Sequence, residues 1–466
     1  MHYWEPATDH DLGKIHEAAC RILAELGVRI HSGEVLDVLA GAGATIVNKN
    51  VARLPHDLVE RSIASAPPTF NVYDRLGGVL EIGSDQHHHL IGGTMTEILD
   101  YPGWTRRPAT LEDERNLARI VDALDCVDIN LPAVEGRDAP PGMGEILSCA
   151  EMLKNTTKFC LACPVESRAN EAFVQMAKAL AGNDDLSQRP IIGLLATIVP
   201  GYEIDAEAAA TLLLAASEGL PIVLMGGAIM GAQGPATMAG SLVMKTAEEL
   251  AGLCIVQSAR PGSPCLMDWG QIKLDMRTAE IEEAGPEYSI AIGVGAQLSR
   301  RYGIPSYSCP SADSKIGDLQ AGFEFTESIQ AALLAGIHVT VNAGTASRCS
   351  AACYELLILH NEMLRNMLRV RQGMEVSDET LAVELQLKVG IRGDYLSHPH
   401  TLKTLRSGNE FLHKDLFDAS GMRSPYEDPC IRAQARWKQI LRDHQPKVSG
   451  HECQAVDEVV ARFRRG

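Results

Sequence analysis

The chain has 466 residues, 45% hydrophobic and 22% charged, with a formal net charge of -18. Such a composition supplies a soluble globular core, while the acidity leaves no electrostatic case for a nucleic acid or an anionic membrane surface. No apolar run approaches the ~20 residues that span a bilayer, and Met1-His-Tyr-Trp-Glu-Pro shows no basic stretch leading into an apolar one, so a cytoplasmic location is expected.

In chain order, the first segment reads as an α/β cap over residues 1–88. Asp9 to Val28 has apolar residues at Ile15, Ala19, Ile22, Leu23 and Leu26, the spacing of an amphipathic helix. A second helix is expected from Gly33 to Ala40, followed by short strands up to Ile82. Residues 89–372 then carry a regular rhythm. Eight short apolar runs are expected as strands: His89–Thr94, Val127–Leu131, Lys158–Cys163, Ile191–Ile198, Ile222–Met225, Pro264–Asp268, Ser306–Cys309 and Val339–Asn342. A helical segment follows each: Leu111–Leu124, Gly144–Lys154, Ala169–Ala181, Ala206–Glu218, Pro235–Arg260, Glu287–Tyr302, Ala321–Ala335 and Tyr354–Arg371. Eight strand–helix units predict an α/β fold, a (β/α)8 TIM barrel. Residues 373–466 are expected as a C-terminal helical extension, broken at Pro399–Thr401.

No metal site is expected from the motifs considered. The 12 cysteines are scattered. Cys160-x-x-Cys163 lacks the second pair that a closed zinc site needs, and His87-His88-His89 cannot turn three adjacent side chains onto one ion. His398-Pro-His400 lacks a third ligand.

Barrel enzymes build their sites at the C-terminal ends of the strands. That rule selects Glu97 after strand 1, the glycine-rich turn 226–231 after strand 5 and Asp268-Trp269-Gly270 at the end of strand 6. After strand 7 comes the densest polar cluster, Asp313-Ser-Lys315, Asp318, Gln320 and Glu324. Its polar groups need each other or a ligand. Arg348, Tyr354 and Glu355 follow strand 8. Trp269, Tyr307 and Tyr354 could turn π-faces toward a cation, Glu97 or Glu355 could supply an anion, and Arg348 could grip a carboxylate.

The chain resembles the trimethylamine methyltransferase superfamily, in its branch without pyrrolysine, from about residue 10 to 440. The resemblance is carried by Gly92-Gly93-Thr94, Arg107-Pro-Ala-Thr-Leu-Glu-Asp113, Lys154-Asn-Thr-Thr-Lys158 and Gly219-Leu-Pro-Ile-Val223. It continues through Asp275-Met-Arg-Thr278, Pro286-Glu-Tyr288, Asp313-Ser-Lys315, Gln320-Ala321, Tyr354-Glu355, Asn361-Glu362 and His398-Pro-His-Thr-Leu-Lys403. It implies a TIM barrel and transfer of a methyl group to Co(I) of a cobalamin carried by a cognate corrinoid protein, with no cofactor held tightly by this chain. It further implies a small quaternary amine such as glycine betaine, carnitine or proline betaine as donor. Asp313, Lys315 and Gln320 become the expected catalytic residues, and Glu97, Trp269, Tyr307, Arg348, Tyr354 and Glu355 the expected substrate contacts. A homo-oligomer is expected. The chain departs from the family pattern at Ala351-Ala352-Cys353, His360 and Arg348; the arginine points to an anionic group on the substrate. Two rival readings stand beside this one: a Schiff-base lyase using Lys315, and a betaine-binding protein without catalysis.

Overall fold

Thr8 opens the first helix by a reciprocal cap with Asp11, and the computed structural model describes residues 3–162, 164–182, 185–407, 412, 415–417 and 425–465. The N-terminal elements are α1 (Asp9–Glu25), β1 (Val28–Ile30), α2 (Gly33–Gly41), β2 (Thr45–Val47), β3 (Val51–Arg53), α3 (His56–Ser65) and the hairpin β4 (Phe70–Tyr73) and β5 (Val79–Ile82). Leu12, Ile15, Ala19 and Leu23 line the buried face of α1, as the 3.6-residue period requires.

Next come β6 (His88–Ile91), the hairpin β7 (Glu97–Asp100) and β8 (Thr105–Pro108), α4 (Leu111–Ala123), α5 (Gly144–Lys154), β9 (Cys160–Ala162), α6 (Ser167–Ala181), β10 (Ile192–Thr197), β11 (Glu203–Ile204), α7 (Ala206–Glu218) and β12 (Ile222–Met225). They are followed by α8 (Met238–Ala259), β13 (Cys265–Asp268), the hairpin β14 (Lys273–Asp275) and β15 (Glu280–Glu282), α9 (Pro286–Tyr302), β16 (Ser306–Ser308), α10 (Leu319–Ala335), β17 (Val339–Ala343), β18 (Thr345–Ala346), β19 (Ala351–Ala352) and α11 (Tyr354–Gln372). Seven of these strands form one parallel sheet in the order β6-β17-β16-β13-β12-β10-β9. Single parallel bridges, Leu90 to Ile129 and Asn130 to Cys160, link its two edges through the segment expected as strand 2. The fold is therefore TIM-barrel-like. Segment 127–131 forms no extended ladder among the described residues, and only its two bridges remain of that expected strand.

Helix ends follow local chemistry. Thr110 and Asp113 form a capping box on α4, Asp205 and Asp318 cap α7 and α10, and Gly219, Gly303 and Gly336 close α7, α9 and α10 in the left-handed conformation. Helix α8 is buried nearly all round because α1, α2 and α3 cover its outer side while β12 and β13 flank the inner one. A charged side chain on it must find a partner inside the protein.

The terminal elements are α12 (Asp378–Leu381), α13 (Val383–Val389), α14 (Pro399–Ser407), α15 (Pro429–Asp443) and α16 (Gly450–Arg465). Pro399 does not break a helix; it stands as the first residue of α14, where its missing N–H costs nothing. Helix α15 packs on α11 and α4, and α16 on α5 and α6.

Candidate active site

Strands alternate their side chains between two faces, which separates the residues of the barrel interior from those facing the helices. Leu90, Leu161, Val223, Leu266, Tyr307 and Val339 line one apolar cavity inside the sheet, closed below by Phe70, Val72 and Ile82 of the β4–β5 hairpin. Two residues further along the same strands, on the same face, lies the layer at the C-terminal mouth: Gly92, Met225, Asp268 and Cys309. In that layer Asp268 is the carboxylate.

Asp268 belongs to a buried ionic group. The Lys245 ammonium of α8 lies 2.7 Å from Asp268 Oδ2 and 3.1 Å from Glu249 Oε1, and also donates to the Gly226 carbonyl. Burial works against the ammonium, but the two carboxylates outweigh it and hold Lys245 charged. Burial pushes Glu249 well above the usual carboxylate range and raises Asp268 as well. One ammonium thus serves two carboxyls. Neighbouring Glu248 accepts from the amides of Gly201 and Gly227, at 2.9 and 3.0 Å. It pins the loops that follow β10 and β12. Gly227 sits at φ +119 with the Lys245 side chain 3.2 Å from where a Cβ would stand, so the turn must be glycine for Lys245 to pass.

At the end of the neighbouring strand β16, Cys309 Sγ lies 3.8 Å from Asp268 Oδ1, and Tyr288 donates to the Cys309 carbonyl at 2.6 Å. Ser311 Oγ is 3.6 Å from Cys349 Sγ. Burial raises Glu283 above its ordinary range and pushes the Cys349 thiol up to about 12. Ser347, Arg348 and Cys349 all have positive φ, at 55, 57 and 56°; three such residues in a row need outside support. It comes from Ser347 N to Ser314 O and Arg348 N to Ala312 O, both 2.9 Å.

The residues expected from sequence divide into three groups. Asp313 stands at the mouth, half-buried, accepting from the amides of Glu283 and Ala284 at 3.0 and 3.3 Å; burial raises its carboxyl. Lys315 is exposed beside it, and Gln320 is exposed on the first turn of α10, donating to Glu324 at 2.7 Å. Glu324 in turn accepts from Asp313 N and Ser314 N. Most of this cluster therefore satisfies itself. Arg348 is also at the mouth, but its guanidinium is held by Glu280 at 3.1 Å and by the Ile281 carbonyl. Glu97 lies on β7, paired with Arg106 at 2.6 Å.

Trp269 and Tyr307 are not brought to the mouth. Trp269 is fully buried, with its Nε1 donating to Ser299 on α9 at 2.6 Å. It follows Asp268, so pleat parity turns it outward when Asp268 faces in. Tyr307 faces inward one layer too deep, in the apolar cavity. Tyr354 and Glu355 open a different space, a cleft of about 450 Å³ on the flank of the barrel between α4, α11 and α15. There Tyr354 donates to Asp113 at 3.0 Å, and Glu355 accepts from Trp437 at 2.9 Å. Sequence reasoning missed Lys245, Glu248 and Glu249. The signal was present: a Lys-x-x-Glu-Glu interrupting an otherwise apolar helix.

The histidine run has structural partners. His87 Nδ1 lies 2.9 Å from the Ile337 carbonyl, His88 Nδ1 lies 2.6 Å from Asp128, and His89 contacts Thr340. The Cys160-x-x-Cys163 motif lies partly outside the described residues, at Cys163. No helix among the described residues is long and apolar enough to cross a membrane.

The comparisons with known proteins agree with this architecture. The chain is 29% identical to a glycine betaine methyltransferase of Desulfitobacterium hafniense (strain Y51) over 456 residues, covering 96% of this chain and 94% of that protein. It is 27% identical to a trimethylamine methyltransferase of Methanosarcina barkeri, covering 94% and 90%. The crystal structure of the Methanosarcina barkeri monomethylamine methyltransferase superposes with a TM-score of 0.55 at 12% identity, covering 98% of this chain and 88% of that one, a likeness of fold. The sequence profile described as trimethylamine methyltransferase (MTTB) matches residues 1–466, and the chain belongs to that family.

Proposed function

We propose that this methyltransferase-family protein moves a methyl group from a small quaternary amine of the betaine class to Co(I) of a corrinoid borne by a separate protein, at the mouth around Asp268. The observation that carries the reading is the near full-length match to a glycine betaine methyltransferase. The chemistry of the mouth supports it. A quaternary ammonium departs as a neutral amine: its carbon gives the methyl to the cobalt nucleophile, and the C–N electron pair stays on nitrogen. No proton has to be supplied. The protein's task is then orientation and charge. Asp268, Glu283 and Asp313 make the mouth acidic, which suits a donor that is cationic before transfer and neutral after it. Too strong an anion would hold the ground state; Lys245 tempers Asp268.

Asp313, Lys315 and Gln320 shape the rim in this reading, with Lys315 as the exposed cation available to a substrate carboxylate and Arg348 available only by exchanging its Glu280 partner. The described mouth carries Thr94 and Thr197 exposed at its edge, leaving it accessible to a corrinoid presented by a partner. We also propose that the eight-fold barrel closes through Ile129 and Asn130. The test is an anaerobic assay with cob(I)alamin and a panel of glycine betaine, carnitine, proline betaine and trimethylamine. Loss of the Co(I) absorbance with a betaine supports the reading. Silence with every amine, with a cognate corrinoid protein present, would move the function to the lyase or binding alternatives.

A further inference from the structure

Two helices of the N-terminal segment each present a pair of metal-ligating residues one turn apart. On α1 these are His16 and Cys20; on α3 they are His56 and Glu60. One ligand atom from each lies within 4.8 Å of all the others. His16 Nε2 is 3.0 Å from Glu60 Oε1 and 3.5 Å from Cys20 Sγ. Tetrahedral zinc, with bonds of about 2.0–2.3 Å, sets its ligand atoms about 3.3–3.7 Å apart. The 3.5 Å edge already lies in that range, and a shift of a few tenths of an ångström would bring the 3.0 Å edge into it.

From this geometry we infer that His16, Cys20, His56 and Glu60 form a binding site for a zinc-class divalent ion, remote from the barrel mouth. A second observation supports it. His16 is buried, and its other ring nitrogen, Nδ1, is 3.2 Å from the Tyr302 hydroxyl. Metal-bound histidines are held in this way by a polar partner on the nitrogen away from the ion. The donor set of two imidazoles, a thiolate and a carboxylate is what zinc takes. On binding, the thiol proton leaves to solvent. Thiolate and carboxylate then balance the dication, so the filled site carries no net charge into its half-buried position. Cys20 and His16 lie on the buried side, while the side chains of His56 and Glu60 are about half exposed, at 51% and 48%, which gives the ion a route in.

Four protein ligands leave no open position, so the site is structural rather than catalytic. Its place agrees. Tyr302 is the last residue of α9, which begins at the mouth after β13 and ends at the opposite face. The ion would clamp α1 to α3 and, through Tyr302, to the barrel.

The test uses the full-length protein, stripped with chelator and reloaded with Zn2+ or Co2+. Metal content is read by mass spectrometry and ligation by the Co2+ spectrum. The expected result is one ion per chain, with the thiolate-to-cobalt charge-transfer band and the ligand-field pattern of a tetrahedral site. Cys20→Ser should abolish that band. His56→Ala and Glu60→Gln, at half-exposed positions that leave the core intact, should each release the ion. Tyr302→Phe should weaken binding about tenfold. A wild-type protein that takes up neither ion overturns the assignment, as does one whose metal content is unchanged in Cys20→Ser and His56→Ala.

Discussion

Replacing Lys245 by Met tests the buried charge group at the mouth. Methionine nearly matches the lysine stem in length, so packing is kept and the ammonium alone is lost. The pairs removed are short, at 2.7 and 3.1 Å, and buried on both sides, with Lys245 1% exposed, Glu249 0% and Asp268 9%. Breaking a buried pair from one side costs about 3–5 kcal/mol. Burial raises both carboxyls, so proton uptake offsets part of the loss and the cost lies at the lower end, about 3 kcal/mol. The variant escapes by protonating Asp268. Its carboxyl then titrates further above the unfolded value of about 3.9. Between those two values the folded variant binds more protons than the unfolded chain, so its stability falls as pH rises through that window. Urea melts of wild type and variant at pH 7 and pH 5 read the effect: a gap of about 3 kcal/mol at pH 7, narrowing at pH 5. The double variant Lys245→Met with Asp268→Leu should recover much of the loss, because the carboxylate nearest the lost ammonium goes with it. A gap under about 1 kcal/mol that ignores pH would match an exposed pair and refute the reasoning.

Four further variants test the site. Asp268→Asn should lower kcat for methyl transfer about 100-fold, with the fold kept as judged by circular dichroism. Trp269→Phe should cost about 1–3 kcal/mol by leaving Ser299 Oγ without its indole donor, and should leave KM for the amine unchanged; a raised KM would restore Trp269 as a substrate contact. Asp313→Ala should cut kcat/KM about 100-fold by releasing the amides of Glu283 and Ala284, and with them the position of the mouth, whereas Gln320→Ala, on an exposed helix turn, should shift stability by at most about 0.5 kcal/mol.

The fold was readable because its signals are local. Continuous apolar runs such as Ile222-Val223-Leu224 mark buried parallel strands, and Ala206–Glu218 ends at a left-handed glycine. Segment 127–131 was the exception, with single bridges at Ile129 and Asn130 in place of the expected strand. The hairpin β7–β8 lies between the expected strand His89–Thr94 and the expected helix Leu111–Leu124, where no strand was expected. At the site, position along the chain was legible and direction was not. Asp268 and Trp269 are neighbours, yet one faces the mouth and the other the helices; counting the pleat from Leu266 would have separated them. Lys245 lies on a helix and reaches the mouth from behind, so a rule that looks only at strand ends cannot find it. The His16, Cys20, His56 and Glu60 cluster escaped for a similar reason. Each i, i+4 pair is unremarkable alone, and only the packing of α1 against α3 brings the two together.

The central claim is methyl transfer, and its most direct measurement follows the methyl group itself. Betaine carrying 13C in its N-methyl groups is incubated anaerobically with the protein, Co(I) corrinoid protein and, in parallel, the Asp268→Asn variant. Mass spectrometry then counts both products. The account predicts one labelled methyl on cobalt for each demethylated amine, formed at a rate that the variant loses. Cobalt that is oxidised without label, with the betaine unchanged, would contradict it.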